Sequence, residues 1–166
     1  MPGSSPDFKI DIRNHLLSKF PTSATILDIG AGQGTYYNLL HDYFLTIDAI
    51  EIHLPYIIQY QLMDKYSHVF RIDCTQLLAP NYDIFILGDV LEHLSIEQAQ
   101  GLINRLYPLC KEMIISVPYL CKQGAAHENS YEIHQQDDLT PDIMSERYLL
   151  LKLWKHNNKI GVYLKS

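Results

Sequence analysis

The chain has 166 residues, of which 47% are apolar and 19% are charged. These values are typical of one globular domain, so we expect residues 1–166 to form a single domain behind a mobile arm of residues 1–5. The formal net charge of −6 disfavours a nucleic-acid-binding protein, because such proteins usually present a basic face to the phosphates.

The three cysteines (Cys74, Cys110 and Cys121) are widely spaced and predict neither a disulfide framework nor a C-x-x-C metal site. The first residues lack the apolar core of a signal peptide, and no apolar run approaches transmembrane length. We therefore predict a cytoplasmic protein with no membrane association.

The first predicted helix follows Ser5 and Pro6, which suit the N-cap and the first helical position. Apolar residues then recur at every fourth position up to Pro21: Phe8, Ile12, Leu16 and Phe20. This spacing predicts an amphipathic helix. The sequence leaves open whether the helix packs on a sheet or covers a pocket.

The central feature of the sequence is residues 25–36, where a short apolar run is followed by three glycines spaced two apart. A helical pattern of apolar residues begins at Tyr36, so the segment predicts a strand, a glycine turn and a helix. Glycines permit a tight turn and leave no side chains between the backbone and a ligand, which is typical of nucleotide pockets. Thr35 stands where the dinucleotide fingerprint G-x-G-x-x-G requires its last glycine.

The remaining predicted strands are 45–51, 68–72, 82–87, 112–117, 148–155 and 159–164. A helix opened by Pro55, with Tyr56, Ile57, Tyr60, Met63 and Tyr66 as its apolar set, separates the second and third strands. A capping box at Ser95 and Gln98 predicts the start of another helix, and a short one is expected from Pro141 to Ser145. The alternation of strands and helices predicts a Rossmann-like, doubly wound α/β fold. Its seven-stranded sheet is mostly parallel and closes with a C-terminal antiparallel hairpin around Asn157 and Asn158.

Polar residues end four successive predicted strands: Asp28 with its glycines, then Glu51, then Asp73, then Gly88 and Asp89. Each has an ordinary structural explanation by itself, such as a cap or a solvated strand end. Together they fall at adjacent carboxyl ends in the order expected of an adenosine site. Glu51 comes 21 residues after Gly30, the spacing of the acid that binds ribose hydroxyls in nucleotide-binding α/β units.

These motifs resemble those of the class I S-adenosylmethionine-dependent methyltransferases. Residues 26–34 are similar to motif I, residues 47–51 to motif II, residues 71–73 to the adenine-binding segment, residues 82–94 to motif IV and residues 114–118 to the fifth strand. The resemblance implies S-adenosylmethionine as cofactor. It implies that the cofactor-binding residues are Asp28, Gly30, Ala31, Gly32, Gly34, Glu51, Ile52, Asp73, Cys74, Gly88 and Asp89.

In these implied roles the three glycines pass under the methionine and ribose, and Asp28 orders the turn and helps to hold the amino group. Glu51 binds the ribose hydroxyls, and Asp73 with Cys74 holds the adenine. Gly88 and Asp89 lie beside the sulfonium, with Leu91 or His93 on the same wall.

A polar stretch from Tyr119 to Asp138 predicts a long functional loop. Candidates for a general base or for positioning the methyl acceptor are His93, His127, Glu128, Tyr131 and His134. The H-E-x-x-H zinc motif fails because Tyr131 stands where its second histidine is required, so we predict no metal site, although zinc in another arrangement stays open. The candidates are equally consistent with ordinary surface residues, and no base is assigned.

The sequence thus predicts a methyltransferase whose acceptor is unidentified. Without an inserted recognition domain, a small-molecule acceptor is favoured, and a homodimer or a partner protein stays open. One alternative is a non-catalytic S-adenosylmethionine-binding or scaffold subunit. A nicotinamide oxidoreductase is disfavoured by Thr35, which stands in place of the third glycine of the dinucleotide fingerprint.

Overall fold

The computed structural model describes residues 5–78, 80–125 and 129–166. Its sheet has seven strands in the order β3-β2-β1-β4-β5-β7-β6. The strands are β1 Thr25–Ile29, β2 Thr46–Ile50, β3 Val69–Phe70, β4 Ile84–Gly88, β5 Glu112–Pro118, β6 Leu151–His156 and β7 Ile160–Lys165. Neighbouring strands are parallel from β3 to β5, whereas β7 is antiparallel to both β5 and β6. This arrangement confirms the predicted fold class.

The order of the strands places a crevice beside β1. The chain moves outward from β1 through β2 to β3, and then returns to form β4 on the other side of β1. Ile29 at the end of β1 pairs with Ile50 on one side and Leu87 on the other, so the three strands end at the same level. Ligands of open α/β sheets bind at such a reversal point, outside the carboxyl ends of the strands.

Six α-helices cover the two faces of the sheet in the described residues. They are α1 Lys9–Lys19, α2 Thr35–Leu40, α3 Leu54–Gln59, α4 Leu62–Lys65, α5 Ile96–Leu106 and α6 Pro141–Arg147. The core has two clusters, one holding Leu27 and Ile29 with residues of α5, and the other holding Ile26 with residues of α1 and α2. β1 is therefore buried on both faces, as expected of a central parallel strand. No helix of the described ranges has both the length and the apolar character needed to cross a bilayer.

Helix α1 begins later than predicted. Phe8, with a left-handed φ of 62°, occupies the N-cap, and the Ser5 hydroxyl accepts the Asp7 N–H at 3.2 Å in a turn before the helix. The predicted apolar stripe is confirmed, since Ile12 and Leu16 are fully buried. Of the predicted mobile arm, residues 1–4 lie outside the described residues.

The helix predicted after Pro55 is broken into α3 and α4, because Gln61 has a φ of 53° between them. The break turns Met63 outward, so this residue is 66% exposed and its predicted burial was wrong. The predicted capping box at α5 is confirmed, with Ser95 and Gln98 each bonding the backbone N–H of the other. This cap fixes the start of α5 beside the crevice.

Candidate functional site

A cavity of about 570 Å³ lies at the carboxyl ends of the central strands. Nine of the predicted cofactor-binding residues line it: Gly30, Ala31, Gly32, Glu51, Ile52, Asp73, Cys74, Gly88 and Asp89. The candidates His93, Tyr131 and His134 line it as well. His127 and Glu128 lie outside the described residues. The structure therefore brings together groups from segments that are distant in sequence.

The glycine turn is held in a backbone conformation that favours glycine. Gly30, Gly32 and Gly34 have φ values of 75°, 54° and 82°. A Cβ atom on Gly30 would lie 2.6 Å from Val90 Cγ2, so no side chain fits there. The N–H groups of Gly30 and Ala31 both donate to the Ile50 carbonyl, at 2.9 and 3.0 Å, which fastens the turn to the end of β2.

Glu51 connects the end of β2 to this turn. Its Oε2 accepts the Gly32 N–H at 2.9 Å, and its Oε1 accepts the His53 N–H at 2.8 Å. Burial raises the pKa of Glu51, while the two backbone hydrogen bonds act in the opposite direction. The result is a carboxylate fixed on the cavity wall.

The next strand end is a rigid turn. Asp73 Oδ1 accepts hydrogen bonds from the N–H and the hydroxyl of Thr75, at 2.8 and 2.7 Å. Arg105 of α5 donates to the carbonyls of Cys74 and Thr75 and so holds the turn from behind. Burial raises the pKa of the Cys74 thiol to about 12, so this thiol is neutral at physiological pH.

A buried chain of polar groups holds the end of β4. Lys9 Nζ donates to the Tyr36 hydroxyl at 2.7 Å, the Tyr36 and Ser116 hydroxyls lie 3.2 Å apart, and the Ser116 hydroxyl donates to Asp89 Oδ1 at 3.3 Å. Asp89 itself has a φ of 56°. The side chain of Tyr36 packs against Gly88, where an added Cβ would lie 2.2 Å from its ring. This network positions Asp89 on the cavity wall.

Sequence reasoning missed Lys9 as a member of this network. Lys9 is only 7% exposed, and burial lowers its pKa although Asp89 favours the charged form. The signal in the sequence was its position, since Lys9, Ile12 and Leu16 follow helical spacing and share the buried face of α1.

Asp28 and Gly34 do not line the cavity, contrary to the implied roles. Side chains alternate along a strand, so Asp28 points away from the face that holds Leu27 and Ile29. Its carboxylate lies behind the turn and accepts the Tyr66 hydroxyl at 2.6 Å, and burial raises its pKa to about 7. Gly34 lies at the start of α2, facing Leu62 and Lys65. Asp28 can therefore order the turn from behind, but it is not on the wall that would hold an amino group.

The long loop after β5 forms the opposite wall. The N–H groups of Gln135 and Gln136 donate to the Glu92 carbonyl at 2.7 and 3.0 Å. The Gln136 side-chain amide also donates to the carbonyls of Leu91 and Leu94. These bonds fasten the loop to residues 91–94 and bring His134 and Tyr131 to the cavity, across about forty residues of chain.

Glu92, His93 and His134 meet on this wall. One potential ligand atom from each lies within 4.8 Å of the others, and the two imidazole rings are 4.7 Å apart. Burial raises the pKa of Glu92 and lowers that of His93. Of the two alternatives expected on this wall, His93 lines the cavity together with Glu92, whereas Leu91 is fully buried in the core.

The cavity wall is acidic. Five carboxylic side chains line it, from Glu51, Asp73, Asp89, Glu92 and Glu132. The basic side chains on the described wall are one lysine, Lys159, and the two histidines. Such a wall attracts a cationic ligand and repels an anionic one.

No protein-family model matches the chain, and no curated protein matches its sequence. Solved structures do match its fold. Magnesium protoporphyrin IX methyltransferase from Synechocystis PCC 6803, with bound S-adenosylmethionine, is 18% identical with a TM-score of 0.60, over 95% of this chain and 78% of that one. The N-methyltransferase NodS from Bradyrhizobium japonicum WM9 is 12% identical with a TM-score of 0.62, over 96% and 97%.

An S-adenosylmethionine-dependent methyltransferase from Clostridium acetobutylicum ATCC 824 is 8% identical with a TM-score of 0.71, over 95% of this chain and 89% of that one. At these identities the likeness concerns the fold. The chain has the fold of the class I S-adenosylmethionine-dependent methyltransferases, as the sequence motifs predicted.

Proposed function

We propose that this protein is an S-adenosylmethionine-dependent methyltransferase that acts on a small-molecule acceptor. The observation that carries the proposal is the acidic cavity at the strand ends, with Glu51 bonded to the glycine turn. The fold and the order of the polar strand ends support the same conclusion.

The charge of the cavity favours this cofactor over a dinucleotide. S-Adenosylmethionine has a positive sulfonium, a positive amino group and one carboxylate, so it is a net cation, and the acidic side chains of the wall complement this charge. A dinucleotide carries an anionic pyrophosphate, which in the Rossmann arrangement lies at the glycine turn. Here the Gly32 N–H already donates to the Glu51 carboxylate, which would repel a phosphate at that place.

The residues at the carboxyl ends of β1 to β4, on the wall that carries the glycine turn, fit the parts of the cofactor. Glu51 would accept the ribose hydroxyls, and the turn of Asp73 and Cys74 would hold the adenine. The backbone from Gly30 to Gly32 would pass under the methionine, and Asp89 would lie beside the sulfonium. When bound, the cofactor supplies a methyl group that the sulfonium has already activated for displacement. The remaining task of the chain is to align the acceptor and exclude water.

The acceptor would occupy the half of the cavity formed by the long loop. A cavity of about 570 Å³ is within the range of ~300–1,000 Å³ usual for small-molecule sites. Magnesium protoporphyrin IX, named in one matching structure, is a small molecule, and this supports the same class of acceptor here. His93, Tyr131 and His134 are the described candidates for contacting it. A proton acceptor is required only if the attacked atom carries a proton.

We also propose a cytoplasmic location, which agrees with the three cysteines being free thiols. A homodimer or a partner protein stays a prediction. The principal alternative is a non-catalytic subunit that binds the same cofactor. The residues on the wall of the glycine turn serve binding, and binding by itself does not demonstrate turnover.

Calorimetric titration with S-adenosylmethionine, S-adenosylhomocysteine and NAD tests the proposal directly. We expect micromolar binding of both sulfur compounds and no binding of NAD. Binding of NAD alone would contradict the proposal. A scan of acceptors, following S-adenosylhomocysteine release, then separates an enzyme from a binding subunit.

A further inference from the structure

Glu92 has a burial that its protein contacts do not explain. The residue is 1% exposed, and neither carboxylate oxygen has a hydrogen-bond partner among residues 5–78, 80–125 and 129–166. A buried carboxyl group without a partner is costly in either protonation state, so such groups in native proteins are normally hydrogen-bonded, paired with a charge or bound to a metal ion. Glu92 is also among the residues that line the cavity.

Two histidines beside Glu92 have the orientation of metal ligands. His134 Nδ1 lies 2.8 Å from the Cys121 carbonyl, and His93 Nδ1 lies 3.3 Å from the Ile133 carbonyl. A carbonyl oxygen only accepts, so each Nδ1 carries the proton, and each Nε2 keeps a free lone pair. Histidine ligands usually donate their second ring nitrogen to a carbonyl or carboxylate in this way.

The three groups are close enough to share one ion. Their ligand atoms all lie within 4.8 Å of one another. Two ligands about 2.0–2.2 Å from a metal ion are separated by at most ~4.4 Å, so small side-chain adjustments would suffice. The backbone is already fixed, because the loop carrying His134 is bonded to the Glu92 carbonyl.

We propose that Glu92, His93 and His134 bind a divalent transition-metal ion in the acceptor half of the cavity. Two imidazole nitrogens and one carboxylate oxygen suit zinc, manganese, iron or cobalt, whereas magnesium prefers a set of oxygens. No metal site was predicted from the sequence, although zinc in another arrangement stayed open, because these ligands come from segments about forty residues apart and match no spacing motif.

A site with three protein ligands keeps open positions for other molecules. Because all three ligands line the cavity, these positions face its interior. An oxygen or nitrogen atom of the acceptor would bind there, and this last role rests on the proposed function. The metal site itself rests on the geometry of the three side chains.

Titration of the purified protein with Co²⁺, in the absence of cofactor, tests the site. We expect one equivalent to bind, with visible absorption bands of a nitrogen- and oxygen-ligated ion, and Zn²⁺ to displace it. Glu92→Gln and His134→Gln should each weaken Co²⁺ binding on the order of 100-fold, as the loss of one ligand in a small set implies. Glu92→Gln keeps the shape of the side chain, and His134 is partly exposed, so both variants should fold.

A matched control is His68→Ala, because His68 also pairs with a carboxylate, Asp48, at 3.0 Å but lies outside the cavity. Its Co²⁺ affinity should equal that of the wild type. Absence of binding at millimolar Co²⁺ would overturn the proposal and mean that burial alone keeps Glu92 protonated. Stoichiometric binding that survives both substitutions would overturn it too, since the ion would then lie elsewhere. Titration of the same preparations with S-adenosylhomocysteine reports separately on the proposed function.

Discussion

The two walls of the cavity differ in how their buried carboxylates are bonded. On the wall that carries the glycine turn, Glu51 is 6% exposed, and each of its oxygens accepts a backbone N–H. On the opposite wall, formed by residues 91–94 and the long loop, Glu92 is 1% exposed, and neither oxygen has a hydrogen-bond partner in the described part of the chain. The two side chains have the same chemistry and similar burial, so the difference lies in what surrounds them.

This difference indicates that the two walls differ in how firmly their carboxyl groups are positioned before a ligand binds. A carboxylate held by backbone groups keeps its position without a ligand, which is the preorganisation that binding sites require. A buried carboxylate without hydrogen-bond partners requires a bound ion or a proton to compensate for its burial. The following changes test the comparison, in order of expected effect.

The largest effect is expected for Glu51→Ala. Two hydrogen bonds from the ribose to a charged group contribute roughly 1.5–3 kcal/mol each, so their loss should weaken S-adenosylhomocysteine binding by about 100-fold or more. Calorimetric titration measures the change, and circular dichroism verifies the fold. Glu146→Ala, at an exposed position of α6, is the control and should bind as the wild type does. Wild-type affinity in Glu51→Ala would mean that the ribose site is assigned wrongly.

Asp28 is an intermediate case, since one of its oxygens accepts the Tyr66 hydroxyl and the other has no hydrogen-bond partner among the residues that the structure describes. Its folded pKa is about 7, against 3.8 for an unperturbed carboxyl. Burial causes the shift; Tyr66 and Lys9 oppose it and Glu51 adds to it. Between pH 3.8 and pH 7 the Asp28 carboxyl is ionised in the unfolded state and protonated in the folded state. Its contribution to the free energy of unfolding is therefore fully present below pH 3.8 and is lost as the pH rises through 7.

We therefore expect the contribution of Asp28 to the free energy of unfolding to fall by about 3 kcal/mol between pH 5 and pH 8. Urea unfolding across this range should show a shallower fall in Asp28→Asn, because the amide does not titrate. Equal slopes in the two proteins would show that Asp28 is ionised in the folded state at pH 5.

Gly88→Ala tests how closely Tyr36, a member of the polar network that holds Asp89, packs against the end of β4. The added Cβ would lie 2.2 Å from the ring of Tyr36, so the ring must shift, at a cost of about 1–3 kcal/mol in the free energy of unfolding. The control is Gly101→Ala on α5, where nothing lies within 4 Å. It should stabilise the protein by about 0.5–1 kcal/mol, because alanine favours helices. Changes of the same sign in denaturant unfolding would contradict the packing around Gly88.

The smallest effect is expected for Ser95→Ala. Ser95 caps α5 directly after the segment that carries Glu92 and His93, so its loss should destabilise the protein by about 1 kcal/mol. The wall is also fastened by the Gln136 amide, and we therefore expect the Co²⁺ affinity to change less than in His134→Gln. A thermal unfolding midpoint equal to that of the wild type would show that the capping box contributes little here.

The sequence by itself determined the fold class and most of the residues that line the cavity at the strand ends. The glycine turn, Glu51, Asp73 and Asp89 each follow a strand, and parallel strands bring their carboxyl ends to one edge. Hydrophobic periodicity is therefore sufficient to predict that these residues meet. It did not reveal which way Asp28 points relative to the cavity, because both faces of β1 are buried and neither is marked as the pocket side.

Only the tertiary structure decided the opposite wall, formed by residues 91–94 and the long loop, and the contacts of Lys9. Glu92 and His134 meet because Gln135 and Gln136 bond to the backbone of residues 91–94, and bonds to backbone carbonyls leave no pattern of residue types in the sequence. Lys9 reaches Tyr36 because α1 packs against α2, a contact between two helices. The spacing of apolar and polar residues along the chain encodes the helices, the strands and the residues that end the strands. Contacts between distant loops and helices depend instead on tertiary packing.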